Sequence, residues 1–354
     1  MSTAINRFKA DLRELSFVLF EQFKFAELVG PGPYEGWDND TAKAVISEAY
    51  RFAKEVLGPI NGTGDREGCR IVDGQVKTPK GFKEAYQQLL EAGLKQISVP
   101  KKFDGQGAPF CLAAVIDELM AGANTAFSMY PNLGWGAAEV IAEFGTEAQQ
   151  KKYAEKMLSG VWSGTMCLTE SHAGSDVGAA SSKAVKLPDG TYRISGTKIF
   201  ISGGDQDLTE NIIHLVLARV EGAPAGTKGL SLFIVPKYRV QNDGSLGAQN
   251  DVQVPSIEHK MGINGSATCV LNFGENGQCV GEIVGTAENQ GMPQMFKLMN
   301  GARIAVGVQG LGVASSAYLN ALEYANDRKQ GAHFTAWKDP KAPRVPIISH
   351  PDVR

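Results

Sequence analysis

Two stretches of the chain carry residue types that could do chemistry. From Met166 to Gly178 it reads M-C-L-T-E-S-H-A-G-S-D-V-G, a turn of small and hydroxyl residues after an apolar run. Thr169 and Ser171 bring hydroxyls, and Ala173-Gly174-Ser175-Asp176 leaves the backbone nearly bare. Bare backbone lets a planar or anionic ligand approach N–H groups closely. Hydroxyl and amide donors fix the polar edge of a heterocycle without adding charge. Taken alone, the same residues also make an ordinary turn. The second stretch follows Pro188-Asp189-Gly190 and runs from Thr191 to Gly204. It reads as a strand ending on an aromatic, a hydroxyl and two glycines, Phe200-Ile201-Ser202-Gly203-Gly204.

Other constellations point to structure. Gly310-x-Gly312-x-x-Ser315 lies inside a helical pattern, so close helix packing explains it better than a dinucleotide fingerprint. There is no G-x-x-x-x-G-K and no G-x-S-x-G elbow. His172, His214, His259, His333 and His350 are scattered without ligand spacing, and no metal site is expected. His214, in an apolar strand, reads as an edge or satisfied core residue. Glu170 and Asp176 are expected to shape their loop by hydrogen bonds rather than to transfer protons.

The elements that must position these residues fall into three blocks. At 354 residues the chain exceeds one small core. Residues 1–161 read as an α-helical domain, with helices at Asp11–Phe25, from an Asp40-Thr41 cap to Val56, from Lys80 to Glu91, at Phe110–Ala123, at Trp135–Phe144 and from Thr146 to Leu158. Gly30-Pro31-Gly32-Pro33 breaks the first of these, and 61–80, glycine-rich and polar, reads as a loop. Residues 162–285 change period to short β-branched runs, Ile212–Val220, Leu230–Val235 and Thr268–Phe273, a β domain. Residues 286–354 return to helix over Met292–Asp327, whose Gly301, Gly307, Gly310 and Gly312 suggest close packing. His350-Pro351-Asp352 resembles a new helix start. The fold class is α+β: an N-terminal α-helical domain, a middle β-barrel-like domain and a C-terminal α-helical domain expected to be incomplete.

Composition narrows the function classes. Hydrophobic residues are 43% and charged residues 21%, with a net charge of −3, which disfavours nucleic-acid binding. Five cysteines without C-x-x-C spacing fit free thiols. Met1–Lys9 has no apolar signal core, and no stretch approaches about eighteen consecutive apolar residues. The expectation is a cytoplasmic protein without a transmembrane segment, peripheral contact with the inner membrane being left open.

The pair L-T-E-x-x-A-G-S-D and G-T-K-I-F-I-S resembles the acyl-CoA dehydrogenase family, as do Gly229–Pro236, His259–Ser266, Ala302-Arg303 and Leu322–Arg328 in the family's order. The likeness extends to the large bacterial branch typified by 3-methylmercaptopropionyl-CoA dehydrogenases. The resemblance implies FAD, held by Met166, Leu168, Thr169, Ser175, Phe200 and Ser202, with Arg328 reaching a neighbouring subunit's cofactor in a homo-oligomer. Ser175 and Arg303 would meet the acyl-CoA substrate, and part of the Met292–Met295–Met299 seam, otherwise core, could line an acyl pocket. The implied reaction is α,β-dehydrogenation of an acyl-CoA thioester, with electrons passed to an electron-transfer flavoprotein. Phe200 stands where many members have tryptophan, T-E-P becomes Thr169-Glu170-Ser171, and R-x-x-F-G is absent after Arg328. The family's base comes either from the position of Ala302, which cannot serve, or from a later helical segment, so no catalytic residue is named and the chain is expected to be C-terminally truncated. Two other readings stay open: an acyl-CoA oxidase using O₂, and a non-catalytic flavin or acyl-CoA binding fragment.

Overall fold

The computed structural model describes residues 5–30, 32–241 and 243–354. Pro31 of the expected break and Met1–Ala4 lie outside the described residues. Helix α1 (Asn39–Phe52) is capped by Asp38 rather than by Asp40-Thr41. Asp38 is extended at φ −145°, so its carboxylate accepts from the Thr41 amide at 2.7 Å and satisfies an orphan N–H. Residues 61–80 are not a loop. They contain most of helix α2 (Gly58–Glu67) and a hairpin of Arg70–Val72 with Gln75–Lys77. Glycine there answers to crowding: a Cβ on Gly58 would collide with Asn6, and one on Gly64 would lie 2.7 Å from the Phe82 ring. Helix α3 (Phe82–Glu91) forms where its apolar stripe places it.

Helix α4 (Phe110–Phe144) joins the two helices expected at Phe110–Ala123 and Trp135–Phe144. Asn124 leaves helical geometry at φ −157°, ψ 87°, and its side-chain oxygen accepts from the Phe127 amide at 3.1 Å. Asparagine thus restarts the helix as an internal cap instead of ending it. Leu112, Ile116, Leu119, Phe127 and Tyr130 of α4 join the N-terminal helical core. Ala137, Ala138, Val140 and Ile141 join a second core beneath the sheet. By length and composition α4 is apolar enough to cross a membrane, yet half of its most apolar window is buried inside the fold.

An eight-stranded sheet follows, of β1 (Trp162–Cys167), β2 (Lys183–Lys186), β3 (Tyr192–Ser202), β4 (Asn211–Val220), β5 (Leu230–Pro236), β6 (Val252–Ile257), β7 (Thr268–Phe273) and β8 (Val280–Ile283), with a separate hairpin of Tyr238–Val240 and Leu246–Gln249. Their order is β6-β7-β3-β8-β5-β4-β1, and β2 pairs with both β3 and β4. The circuit β3-β8-β5-β4-β2 therefore closes on itself, a barrel-like arrangement that leaves few open edges. In β4, Ile213, Leu215 and Leu217 pack toward α4 while Val216, Ala218 and Val220 fill the barrel side. Burial on both faces explains why that strand reads as a continuous apolar run.

Helix α5 (Gly291–Asp327) packs along α4. Its glycines split into two groups. A Cβ on Gly312 would meet the Glu118 carbonyl oxygen at 2.5 Å, whereas Cβ atoms on Gly301, Gly307 and Gly310 would meet nothing within 4 Å. Close packing accounts for Gly312 alone. A hairpin of Lys329–Ala332 with Arg344–Pro346 follows, and 351–353 form a turn rather than the expected helix start.

Candidate functional site

After β1 the chain turns along the end of β3. The Ile199 amide donates to the Thr169 carbonyl at 2.9 Å, and reciprocal backbone bonds of Glu170 with Ala173 at 2.9 and 3.1 Å close the loop. Lys198 projects inward from β3, where its Nζ donates to the Leu168 carbonyl and to Glu170 Oε1, each at 2.9 Å. Both side chains are almost wholly buried. The Ser181 amide and hydroxyl donate to Glu170 Oε2 at 2.7 Å, and the Ser182 amide to Oε1 at 3.0 Å. Burial pushes the Glu170 carboxyl up, but hydrogen bonds from Ser182, Lys198 and Ser181 outweigh it and hold the group at about 2. Glu170 is thus a loop-shaping carboxylate, while Asp176 is exposed. Lys198 was not singled out from sequence. Its signal was a lysine in register with the inward-facing Tyr192 and Ile194.

Phe200 is the conformational outlier. Between β7 and β3, Cys269 pairs with Ile201 and Leu271 with Lys198, so two residues of β3 face one of β7. This bulge puts Phe200 at φ 61°, a left-handed conformation uncommon outside glycine, and leaves its ring 58% exposed. Strain of this kind gathers at functional sites. Met166, Leu168, Thr169 and Ser202 lie half-buried nearby in the sequence of these two strand ends, and Ser175 is exposed on the loop. Ser202 pairs with Thr268 on β7.

Arg303 is exposed on α5, its guanidinium 5.6 Å from the Phe296 ring and bonded to Asn300 Oδ1 at 3.2 Å. Arg328 follows the last residue of α5. The 25 residues from Arg303 to Arg328 correspond to about 37 Å of helix axis. The structure therefore brings the 166–175 loop and the end of β3 together and leaves Arg328 far from Arg303 in the same chain.

Between α4 and α5 lies an apolar cavity of about 120 Å³, lined by residues that include Met129, Leu133, Gly136, Leu298, Ala302 and Ala305. Met295 is buried in the second core, and Met292 and Met299 pack against it. His214 is fully buried, with Nδ1 2.8 Å from Thr165 Oγ1 and its ring edge-on to Phe273. It is a satisfied core histidine, and no group of three potential metal ligands occurs among the described residues.

Burial, with the nearby Lys237 charge, holds His214 down to about 3. Its cost is nil above the unfolded value of about 6.5 and grows as pH falls toward 3. Glu170 acts in the same direction lower down: its contribution is complete above about 4.5 and is lost as pH falls through about 2. Stability should thus decline in two steps on acidification, the first beginning near pH 6.5. Chemical denaturation across pH 3–8 measures this, and His214→Asn should flatten the upper step.

Comparison with known proteins now identifies the architecture. Residues 39–161 match the model for the acyl-CoA dehydrogenase N-terminal domain, and residues 165–275 match the one for the middle domain. An isobutyryl-CoA dehydrogenase of Dictyostelium discoideum is 31% identical over 90% of this chain and 70% of its own length. The chain belongs to the acyl-CoA dehydrogenase family. A 3-methylmercaptopropionyl-CoA dehydrogenase of Ruegeria pomeroyi is 40% identical over 98% of this acyl-CoA dehydrogenase chain, which spans 58% of that relative's length. Among solved structures, a butyryl-CoA dehydrogenase of Megasphaera elsdenii superposes with a TM-score of 0.70 at 25% identity, covering 90% of this chain and 74% of the other. An acyl-CoA dehydrogenase of Bacillus anthracis complexed with FAD shares the fold, with a TM-score of 0.69 at 24% identity over 89% of this chain and 47% of the other.

Proposed function

We propose that this chain holds FAD at the loop Met166–Ser175 and the end of β3, and that the protein dehydrogenates an acyl-CoA thioester at its α,β bond. The observation that carries the reading is Phe200, forced by a bulge into a left-handed conformation with its ring toward solvent. An exposed aromatic held at such cost suits a flat partner laid against it. The residues fit a flavin: Thr169 and Ser202 offer hydroxyls at the same two strand ends as Phe200, and the Ala173–Asp176 backbone is bare. Met166 and Leu168 supply apolar walls. Family membership supports FAD, which when bound supplies the acceptor for the substrate's hydride.

The residues then divide the remaining work. Ser175 and Arg303 bind the CoA portion, and Arg328 is assigned to the cofactor of a neighbouring subunit in a homo-oligomer. The cavity between α4 and α5, beside Ala302, takes the acyl chain and excludes water. Ala302 has no carboxylate, so the proton-abstracting base is assigned to the length of the relatives that this chain does not span. An electron-transfer flavoprotein is proposed as the partner that receives the electrons, at a cytoplasmic location.

The test is the visible spectrum of the purified protein, in a chain that includes the length assigned to the base, followed anaerobically while acyl-CoA esters of graded length are added. Stoichiometric flavin that bleaches with one of them is the expected result. Thr169→Val with Ser202→Ala should weaken flavin retention by about 10-fold or more for each hydrogen bond lost. Flavin retained at parent affinity by that double variant would place the cofactor elsewhere. Steady oxygen consumption on turnover without added acceptor would replace the flavoprotein partner by O₂.

A further inference from the structure

The apolar cavity has a polar floor. A smaller chamber of about 50 Å³ shares Phe110, Asp117, Asn132 and Trp135 with it and is otherwise walled by Leu89, Ile97, Met120 and Lys95. Lys95 Nζ is shielded from solvent and has no hydrogen-bond partner. From α4, Asp117 lines both spaces and Glu139 the larger one. An unmade hydrogen bond of a buried cationic donor is expensive, more so in an enclosed apolar setting. An ammonium has three donors to place, and among the described residues no group accepts a hydrogen bond from it.

We infer that Lys95 is a specificity-determining residue whose ammonium hydrogen-bonds a neutral oxygen, a hydroxyl, ether or keto group, at the distal end of the substrate's acyl chain. The inference rests on reading the α4–α5 cavity as the acyl pocket. The apolar part receives methylenes and ends where the walls turn polar. A chamber of about 50 Å³ accommodates a small polar group, comparable to the room a few ordered waters occupy. Asn132 supplies a second polar contact beside Lys95. Charge argues for a neutral group: Asp117 beside Lys95, with Glu139 on the adjoining cavity, already balances the cation, so a terminal carboxylate would add an excess negative charge in low dielectric. Burial pulls Lys95 down to about 7 and pushes Asp117 up to about 7, consistent with a site that resists additional charge. An unsubstituted chain, in contrast, leaves the Lys95 donor unpaired, the situation in which a polar site rejects an analogue most strongly.

The experiment is calorimetric binding of straight-chain acyl-CoAs to the purified flavin-loaded protein, each beside the same chain with a terminal hydroxyl and with a terminal carboxyl. At one chain length the hydroxylated ester should bind about 10–100-fold tighter than the plain one, the range for a hydrogen bond to a charged group. Lys95→Met should collapse that ratio toward one, and Lys95→Gln, which keeps a donor, should retain part of it. Thermal melts of both variants check that they are folded. A ratio near one at every length in the parent, a ratio unchanged in Lys95→Met, or tightest binding of the carboxylated chain would each overturn the assignment. Ala305→Phe, which fills the apolar cavity, separates the two claims. If it leaves every acyl-CoA affinity unchanged, the acyl-pocket reading fails. If it weakens all of them while the parent shows no hydroxyl preference, only the role of Lys95 fails.

Discussion

Lys198→Met should destabilise the protein by about 3–5 kcal/mol, the cost of leaving a buried charge without its partner. Glu170 would remain in place, with the Ser181 and Ser182 bonds but without the ammonium 2.9 Å away. The Leu168 carbonyl would lose its donor too. For a chain of this size each kcal/mol corresponds to roughly 2–4 °C in Tm or less, so a shift approaching 10 °C is expected by differential scanning calorimetry. Glu170→Leu should cost a comparable amount because the Ser181 and Ser182 amides lose their acceptor. The double variant should cost less than the sum, with a coupling of about 1–3 kcal/mol. Strict additivity would mean that the two side chains do not interact. Because the pair braces the loop carrying Thr169, flavin affinity should fall along with stability.

The second expected result concerns two glycines five residues apart on α5. Gly307→Ala should stabilise by about 1 kcal/mol, the helix-propensity difference, since a Cβ there meets nothing within 4 Å. Gly312→Ala should destabilise by about 1–3 kcal/mol despite the same propensity gain, because its Cβ would stand 2.5 Å from the Glu118 carbonyl oxygen and force α4 and α5 apart. The crowding is mutual: a Cβ on Gly122 would reach the Gly312 carbonyl oxygen at 2.9 Å. Equilibrium urea denaturation of both variants reads the contrast. If Gly312→Ala matches or exceeds the parent, the helices are not held at this contact.

Much of the architecture was legible because periodicity survives in a single sequence. The runs at Ile212–Val220 and Leu230–Val235 became β4 and β5, and Met292–Asp327 became α5. The misses share a cause, that composition does not reveal neighbours. Glycines over 61–80 suggested a loop, yet Gly64 admits the Phe82 ring against a helix. The helix expected to end at Ala123 instead continues, because Asn124 caps it from within. The glycines of α5 looked equivalent until α4 distinguished Gly312. At the candidate site, the hydroxyls of Thr169 and Ser202 stood out in the motifs, but the bulge under Phe200 depends on register with β7, which no local pattern encodes. Lys95 gave no signal, since its isolation depends on how the start of α4 packs over it. Asp117 and Glu139 offered a faint one, as carboxylates within the most apolar helix.

The kinked helix α4 has a kinetic consequence. Its first half packs in the N-terminal helical core and its second half beneath the sheet, while α5 must return across the intervening residues 145–290 to cover it. Contacts that distant require loop closure before they repay it, which slows the search for the native state. The helices before β1 can collapse on local contacts. The cavity between α4 and α5 is completed only when the last long element arrives, so the proposed acyl pocket should be among the latest features to form during folding.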